Sequence, residues 1–194
     1  MLIWLNGAFG AGKTQTAYEL QRRIYGSFVF DPENTGTLIR KSQPQLLHLP
    51  DYQDEPLWRR INFELLSQLC DNFDGVIIVP MTLTNPTYYD EIITRLREKG
   101  VDVRHFVLYA RQETILRRLR SRFERADGWA AQQIPRCLAA FENPRFENRI
   151  ATDELNIPQT AEKVAQLCGI ELKSADPAFK RFVNRITTQI RVIR

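Results

Sequence analysis

The sequence predicts an α/β fold of three layers, with helices on both faces of a mostly parallel five-stranded sheet. Three observations carry that reading. Short apolar runs alternate with segments of helical periodicity along most of the chain, the pattern of βαβ units. The run Gly75–Val79 is apolar on both faces, as a strand in the middle of a parallel sheet must be. A glycine-rich loop joins the first apolar run directly to the first helical segment. The right-handed crossover rule then leaves the doubly wound topologies.

Each element can be argued from local chemistry. Leu2–Leu5 is a short buried strand that ends in Asn6-Gly7. Residues 12–24 carry Ala17, Leu20 and Ile24 at helical spacing, punctuated by Gly26. Ser27–Phe30 is a second strand, stopped by Asp31-Pro32. Pro56–Phe73 is a long helix with Trp58, Ile61, Leu65, Leu66 and Leu69 on one face. The third strand, Gly75–Val79, closes at Pro80, and a helix from Pro86 to Lys99 ends at Gly100. Val101–Tyr109 is the fourth strand, succeeded by a basic helix over Glu113–Glu124 and another over Trp129–Phe141. Ile150–Thr152 is a short fifth strand. Pro158–Leu167 is a helix with proline in its first turn and Gly169 at its end.

Composition narrows the function classes. A chain of 194 residues fits one domain with a short appendage and buries a core without staples. Cys70, Cys137 and Cys168 are odd in number and lack ligand spacing, which argues against a disulfide framework or a zinc site and for reduced, packed thiols. His48 and His105 are the only histidines, so His-rich metal sites and Ser-His-Asp chemistry have little to work with. No stretch reaches the ~20 apolar residues that span a bilayer. The first strand runs straight into the glycine loop, so a cleaved signal is not expected and a cytoplasmic location is. The net charge of +4 lies entirely in residues 170–194, which hold six basic and two acidic side chains.

The strongest chemical signal is Gly7-Ala8-Phe9-Gly10-Ala11-Gly12-Lys13-Thr14, which satisfies G-x-x-x-x-G-K-[ST] in full. Glycines let the backbone curl so that successive N–H groups face phosphate oxygens, and the helix that starts there adds its N-terminal dipole. In this pattern Lys13 reaches the β- and γ-phosphates of ATP, Thr14 is a magnesium ligand, and Gln15 comes next in the same helical turn. A tight turn before a helix is the plain alternative, but a turn has no need of Lys-Thr after its last glycine.

The acids are placed unusually. Proteins with this loop often carry an aspartate after a later strand, yet the third strand ends in Pro80-Met81-Thr82. The second strand ends in Asp31, with Glu33 close behind. Strand ends face the ligand crevice in a doubly wound sheet, so Asp31 is expected to point at the phosphates, orient magnesium or take a proton from a substrate hydroxyl. Its plain role is a turn residue before Pro32. Arg117, Arg118, Arg120, Arg122 and Arg125 crowd the helix after the fourth strand, where a solvated face or a nucleic-acid patch is the ordinary reading. Arg118 and Arg122 share a face at i, i+4 and are positioned to stack on a base and grip phosphate as a lid closes. Residues 177–194 place Phe179, Phe182, Val183, Ile186, Ile190 and Ile193 at helical spacing between basic residues. Such a helix docks on its own domain or lies on an anionic membrane.

Several strings carry a family resemblance: Ile3-Trp4-Leu5-Asn6-Gly7-Ala8-Phe9-Gly10, Gly12-Lys13-Thr14-Gln15-Thr16-Ala17, Phe30-Asp31-Pro32-Glu33, Pro56-Leu57-Trp58-Arg59, Ile78-Val79-Pro80-Met81-Thr82 and Trp129-Ala130-Ala131-Gln132-Gln133-Ile134. The chain resembles the bacterial tunicamycin-resistance protein family from Leu2 to its C-terminus. The resemblance implies a kinase-like P-loop NTPase with strand order 2-3-1-4-5 that binds ATP and confers resistance to tunicamycin, a nucleoside antibiotic with a fatty-acyl chain. It also implies peripheral membrane association, at the inner face, through the C-terminal amphipathic helix. More distantly the chain is similar to nucleoside and nucleotide kinases, shikimate kinase and chloramphenicol phosphotransferase. In adenylate kinases Arg-x-x-x-Arg opens the lid, which here makes Arg118 the adenine-stacking residue and Arg122 a phosphate contact. In the shikimate-kinase-like relatives an acid after the second strand works near magnesium and the acceptor hydroxyl, the place of Asp31.

The expected function is transfer of a phosphoryl group from ATP to tunicamycin or a related nucleoside-like molecule, with Lys13, Asp31 and Arg122 as catalytic residues and Thr14 and Asp31 at magnesium. A protein that sequesters the drug without chemistry is the alternative, and a polynucleotide kinase a weaker third. The acceptor pocket is expected between the second and third strands and the Pro56–Phe73 helix, with Trp58, Met81 and Tyr88 as candidate apolar walls, ordinary core being the plain reading of any single one. Residues 1–169 form the expected domain, with a lid at 111–130, and residues 170–194 the tail.

Overall fold

β1 (Leu2–Gly7) is buried at every position and lies in the middle of the sheet, which explains a strand with no polar face. The structure, a computed structural model, describes residues 1–121, 128–177, 179–180, 183–184 and 186–188. Five strands, β1, β2 (Ser27–Val29), β3 (Val76–Pro80), β4 (Val103–Tyr109) and β5 (Arg149–Ala151), run in the order β2-β3-β1-β4-β5, and every pairing is parallel. This is the kinase-like P-loop fold and strand order expected.

The two faces carry separate cores. On one face α1 (Lys13–Arg23) and α8 (Ile157–Cys168) cover Ile3, Leu5, Ile78, Phe106 and Leu108. On the other, α3 (Pro56–Asn72) and the helical rod after β3 cover Leu2, Trp4, Ile77, Val79 and Val107. That rod reads α4 (Pro86–Tyr89), a π-helical turn (Asp90–Thr94) and α5 (Arg95–Glu98), and Asn85 caps it at the Thr87 N–H. Beyond β4 come α6 (Gln112–Arg120) and α7 (Trp129–Ala140). α8 starts on a reciprocal Asn156–Gln159 capping box and stops at Gly169, φ 68°.

The sequence reading and the structure part in two places. Asp31-Pro32 begins a helix, α2 (Pro32–Lys41), with proline in its first turn, and two 3₁₀ turns come after it at Gln45–Leu47 and Tyr52–Asp54. Asp31 is therefore a helix cap where a turn residue was the plain expectation. On α3 the buried stripe is Trp58, Arg59, Asn62, Phe63 and Leu66, while Leu65 faces solvent. The basic helix is described only to Ser121, so Arg122, Phe123 and Arg125 lie outside the described residues. The three cysteines are free thiols.

Candidate functional site

The glycine loop takes its shape from backbone that side chains cannot enter. Gly7, Gly10 and Gly12 have φ of 143°, 84° and 99°. A Cβ on Gly7 would lie 2.6 Å from the Leu108 carbonyl oxygen, and one on Gly10 would lie 2.9 Å from the Leu119 side chain. The loop is thus pressed between β4 and α6. Gly12 stands as the N-cap of α1 in the left-handed conformation, and the Ala11 N–H closes the turn on the Ala8 carbonyl at 3.0 Å. The Lys13 ammonium donates to the Gly7 and Ala8 carbonyls, both at 3.0 Å, so it sits within the curl. Thr14 and Gln15 lie in the helix's first turn. Phe9 meets Trp129 edge-on at 4.8 Å, and Trp129 is exposed at the start of α7.

A buried carboxamide fixes the root of this loop. Asn6 Oδ1 accepts from the N–H groups of Gly7 and Leu83, both at 2.9 Å, and Nδ2 donates to the Leu83 carbonyl at 2.8 Å. Its fourth partner is His105 Nε2 at 3.2 Å. That nitrogen must accept, so the ring proton sits on Nδ1. Burial, with help from Arg97, drives the His105 pKa down to about 3, which keeps the ring neutral. Thr82 Oγ1 also donates to the Gly7 carbonyl at 2.9 Å. The end of β3, which brings no acid, holds the loop with a hydroxyl and a main-chain pair instead.

Asp31 and Glu33 face Lys13 across the opening. Burial raises the pKa of both; the Glu33 N–H and the Lys13 charge only partly offset it for Asp31, and Asp31 itself adds to the rise for Glu33. Asp31 Oδ1 caps α2 by accepting from the Glu33 N–H at 3.0 Å, and its other oxygen is left to a cation or a hydroxyl. Tyr52 lines the same space, its phenol pKa raised by burial and then by the charges of Glu33, Asp51 and Asp31. Among the described residues no three His, Cys, Asp or Glu side chains are arranged to hold a metal ion alone. A desolvated carboxylate and a hydroxyl beside a phosphate cradle fit magnesium arriving with a nucleotide, the usual mode for that ion.

The other expected site residues separate into two groups. Arg118 comes to the cradle: NH1 lies 3.5 Å from the Ala11 carbonyl and 3.1 Å from Thr152 Oγ1, and NH2 bonds the Thr152 carbonyl. Burial lowers its pKa. Trp58 and Met81 belong to the core, 0% and 2% exposed, so they back the pocket wall from behind; Trp58 Nε1 donates to the Pro32 carbonyl at 3.0 Å. Tyr88 reaches the surface of the bay, where its hydroxyl donates to Asp54 at 2.8 Å. Tyr52, Arg59, Glu91 and Trp129 also border the site; Arg59 and Trp129 fall within strings that carry the family resemblance, while nothing in their local sequence singles out Tyr52 or Glu91. A groove of about 890 Å³ opens elsewhere, at the outer edge of β4 and β5, and includes no residue of the glycine loop.

The chain past α8 docks through main chain. The Lys173 N–H donates to the Arg23 carbonyl at 3.0 Å, and Arg23 Nε returns a bond to the Lys173 carbonyl at 2.8 Å. Farther on, Phe179, Val183 and Ile186 are exposed and fall at i, i+4 and i+7, while Asp176 holds Lys180 and Asn184. No described helix is long and apolar enough to cross a membrane.

Comparison with known proteins points the same way. The family model described as AAA domain matches residues 2–144. The chain is similar to the Deinococcus radiodurans tunicamycin resistance protein, at 32% identity and a TM-score of 0.76, over 91% of this chain and 98% of that one. It shares its fold with a Bacteroides thetaiotaomicron shikimate kinase (18% identity, TM-score 0.58, 88% and 99% covered). It does so too with a Mycobacterium tuberculosis APS kinase solved with AMPPNP and APS (16%, 0.57, 87% and 96%). No curated protein matches significantly in sequence.

Proposed function

From the premise that the chain belongs to the AAA-domain family and to the family of the tunicamycin resistance protein, we propose that it is a small-molecule kinase that transfers the γ-phosphoryl group of ATP to a hydroxyl of tunicamycin or a related nucleoside-like acceptor. The kinase-like P-loop fold makes it a nucleotide-binding protein; the acceptor and the chemistry are our reading. The observation that carries it is Asp31, a half-buried carboxylate whose pKa is raised by desolvation and which faces Lys13 across the glycine loop.

Each residue has its own part in the transfer. Amides of Gly7–Thr14 hold the phosphates, and Lys13 leaves the Gly7 and Ala8 carbonyls for the β- and γ-oxygens. Thr14 would hold magnesium, with Asp31 orienting the ion through water, and magnesium when bound neutralises charge on those oxygens. The acceptor oxygen attacks γ-phosphorus, the bond to the β,γ-bridging oxygen breaks, and ADP leaves. The acceptor's proton passes to the Asp31 carboxylate, whose raised pKa suits a general base. Arg118 flanks the base and Arg122 supplies positive charge to the transferred group. Residues 1–169 form the catalytic domain with a lid at 111–130. The tail, 170–194, rests on the inner face of the membrane through Phe179, Val183 and Ile186.

The test is mass spectrometry of tunicamycin incubated with Mg·ATP and protein. The expected result is a mass gain of one phosphoryl group, lowered by about 10²-fold or more in Lys13→Ala. Drug bound without added phosphate would overturn the kinase reading. It would favour sequestration, for which the acid-free end of β3 and the exposed apolar tail face already speak. Asp31→Asn separates the two: a kinase loses resistance and keeps drug binding, and a sequestering protein keeps both.

A further inference from the structure

Arg59 is buried beside the proposed acceptor bay, its side chain 10% exposed, in the first turns of α3. A guanidinium in that place is the natural grip for an acceptor's carboxylate, sulfate or phosphate. Here two of its five N–H donors are already committed. Nε donates to Glu91 Oε2 at 2.6 Å, NH1 donates to the Gln53 carbonyl at 2.6 Å, and the Tyr88 ring lies 4.1 Å from its central carbon. Tyr88 is in turn pinned by Asp54. The neighbouring Arg40 spends NH2 on the Leu49 and Pro50 carbonyls and stacks over Tyr52, while its Nε is buried without a partner among the described residues. What the bay offers besides is acidic: Asp31, Glu33, Asp51 and Asp54.

Glu91 arrives at Arg59 because of a break in helix geometry. It stands in the π-helical turn Asp90–Thr94, and a π turn advances the rod by an extra residue and re-aims the side chains beyond it. Its neighbour Asp90 points elsewhere, accepting from Thr94 at 2.7 Å and pairing with Arg145 at 3.1 Å. Of the two acids, Glu91 is the one delivered to the bay.

We infer that Glu91 is a specificity-determining residue that withholds Arg59 from the acceptor, so that the bay takes an uncharged or cationic hydroxyl-bearing ligand and rejects an anionic one. Rejection has two sources: Glu91 holds the Nε edge of the guanidinium, so that edge offers an anion no two-pronged fork, and carboxylates repel it. The inference rests on the reading of this bay as the acceptor site of a nucleotide-dependent kinase.

The test uses the full chain saturated with Mg·ADP, so that the glycine loop is filled, and sulfate as the probe, titrated by calorimetry. Glu91→Gln keeps the shape of the side chain and removes its charge. It is expected to bind sulfate about tenfold tighter than the wild type, and the double variant Glu91→Gln/Arg59→Gln should lose that gain. Glu91→Asp, a shorter acid, serves if Glu91→Gln folds poorly, with a smaller gain expected. Sulfate bound equally by wild type and Glu91 variants, or a gain that survives in the double variant, overturns the inference alone. A wild type that fails to bind Mg·ADP sinks the kinase reading and this inference with it.

Discussion

The glycine loop and the proposed acceptor bay face each other across one opening, yet they are built by opposite means. The loop is one continuous stretch, Gly7–Thr14, whose function lies in its backbone. At its root the Asn6 carboxamide makes four hydrogen bonds. The bay is assembled from side chains of α2 and its cap, the second 3₁₀ turn, α3 and the π-helical rod, and Asp31 and Glu33 are held at a cost, with pKa values raised by burial. A phosphate cradle that serves any nucleotide is rigid and satisfied, whereas an acceptor site stores charge that a ligand must relieve.

Glycine substitution is the harshest way to break the comparison. Gly7→Ala places a Cβ 2.6 Å from a backbone oxygen that cannot step aside, at φ 143°. Strain and overpacking together amount to about 2–5 kcal/mol, a fall in Tm of about 5–15 °C in a chain of this size. Gly36→Ala tests the other wall. Its Cβ would meet only the Tyr52 ring, at 2.7 Å, and its φ is ordinary for a helix. The nearest atom is the ring's Cγ, which lies on its flip axis, so Tyr52 gives way by shifting the whole ring, and alanine gains up to ~1 kcal/mol of helix propensity. Stability should therefore stay within about 1 kcal/mol while acceptor affinity shifts. Thermal melts of both variants decide it; equal losses would mean the bay is as rigid as the loop.

The same contrast explains what the sequence could be made to say. Where backbone geometry dictates residue type, the spacing was legible: the cradle, the all-parallel sheet and the Pro158–Gly169 helix limits appear in the residues themselves. α2 was hidden because Gly36 and the β-branched Thr35 and Thr37 weaken its helical pattern, and Asp31-Pro32 reads equally as strand stop or helix start. Arg59, Glu91 and Tyr52 were out of reach for a different reason. They meet only through tertiary packing, and a π turn displaces Glu91 from the position that 3.6-residue periodicity assigns it. Trp58 looked like a pocket wall because a tryptophan on a helix near a cleft serves either role, and its burial settles on support from behind.

A gentler probe is pH, acting first on the loop's root. The folded pKa of His105, about 3, is below the unfolded value near 6.5. The unfolded chain therefore binds an extra proton between these values, and stability is lost as pH falls through that window. By about pH 4 the loss reaches up to about 3 kcal/mol. His105→Gln retains an acceptor for Asn6 Nδ2 and removes the titration. Urea melts from neutral pH down to about pH 4 should show the wild type weakening relative to His105→Gln, and parallel profiles would mean that the ring charges without disturbing the loop.

The bay titrates with the opposite sign, and the effect is smaller. Asp31 has a folded pKa raised above its unfolded one, so its ionised form opposes folding. Its contribution is present when the carboxyl is protonated and is lost as pH rises from about 3.8 through the folded value. Asp31→Asn removes that opposition at neutral pH and keeps the helix cap, since asparagine caps as well as aspartate. The ligand-free variant should melt higher than wild type, by about 2–4 °C for each kcal/mol relieved. Mg·ATP should raise its Tm by less than it raises the wild type's, because the carboxylate that gains from the cation is gone. Glu33→Gln offers the control: a similar gain without ligand, and an undiminished response to Mg·ATP. If Asp31→Asn instead melts lower without ligand, Asp31 stabilises the fold as an ordinary cap, and the bay stores no charge for a ligand to relieve.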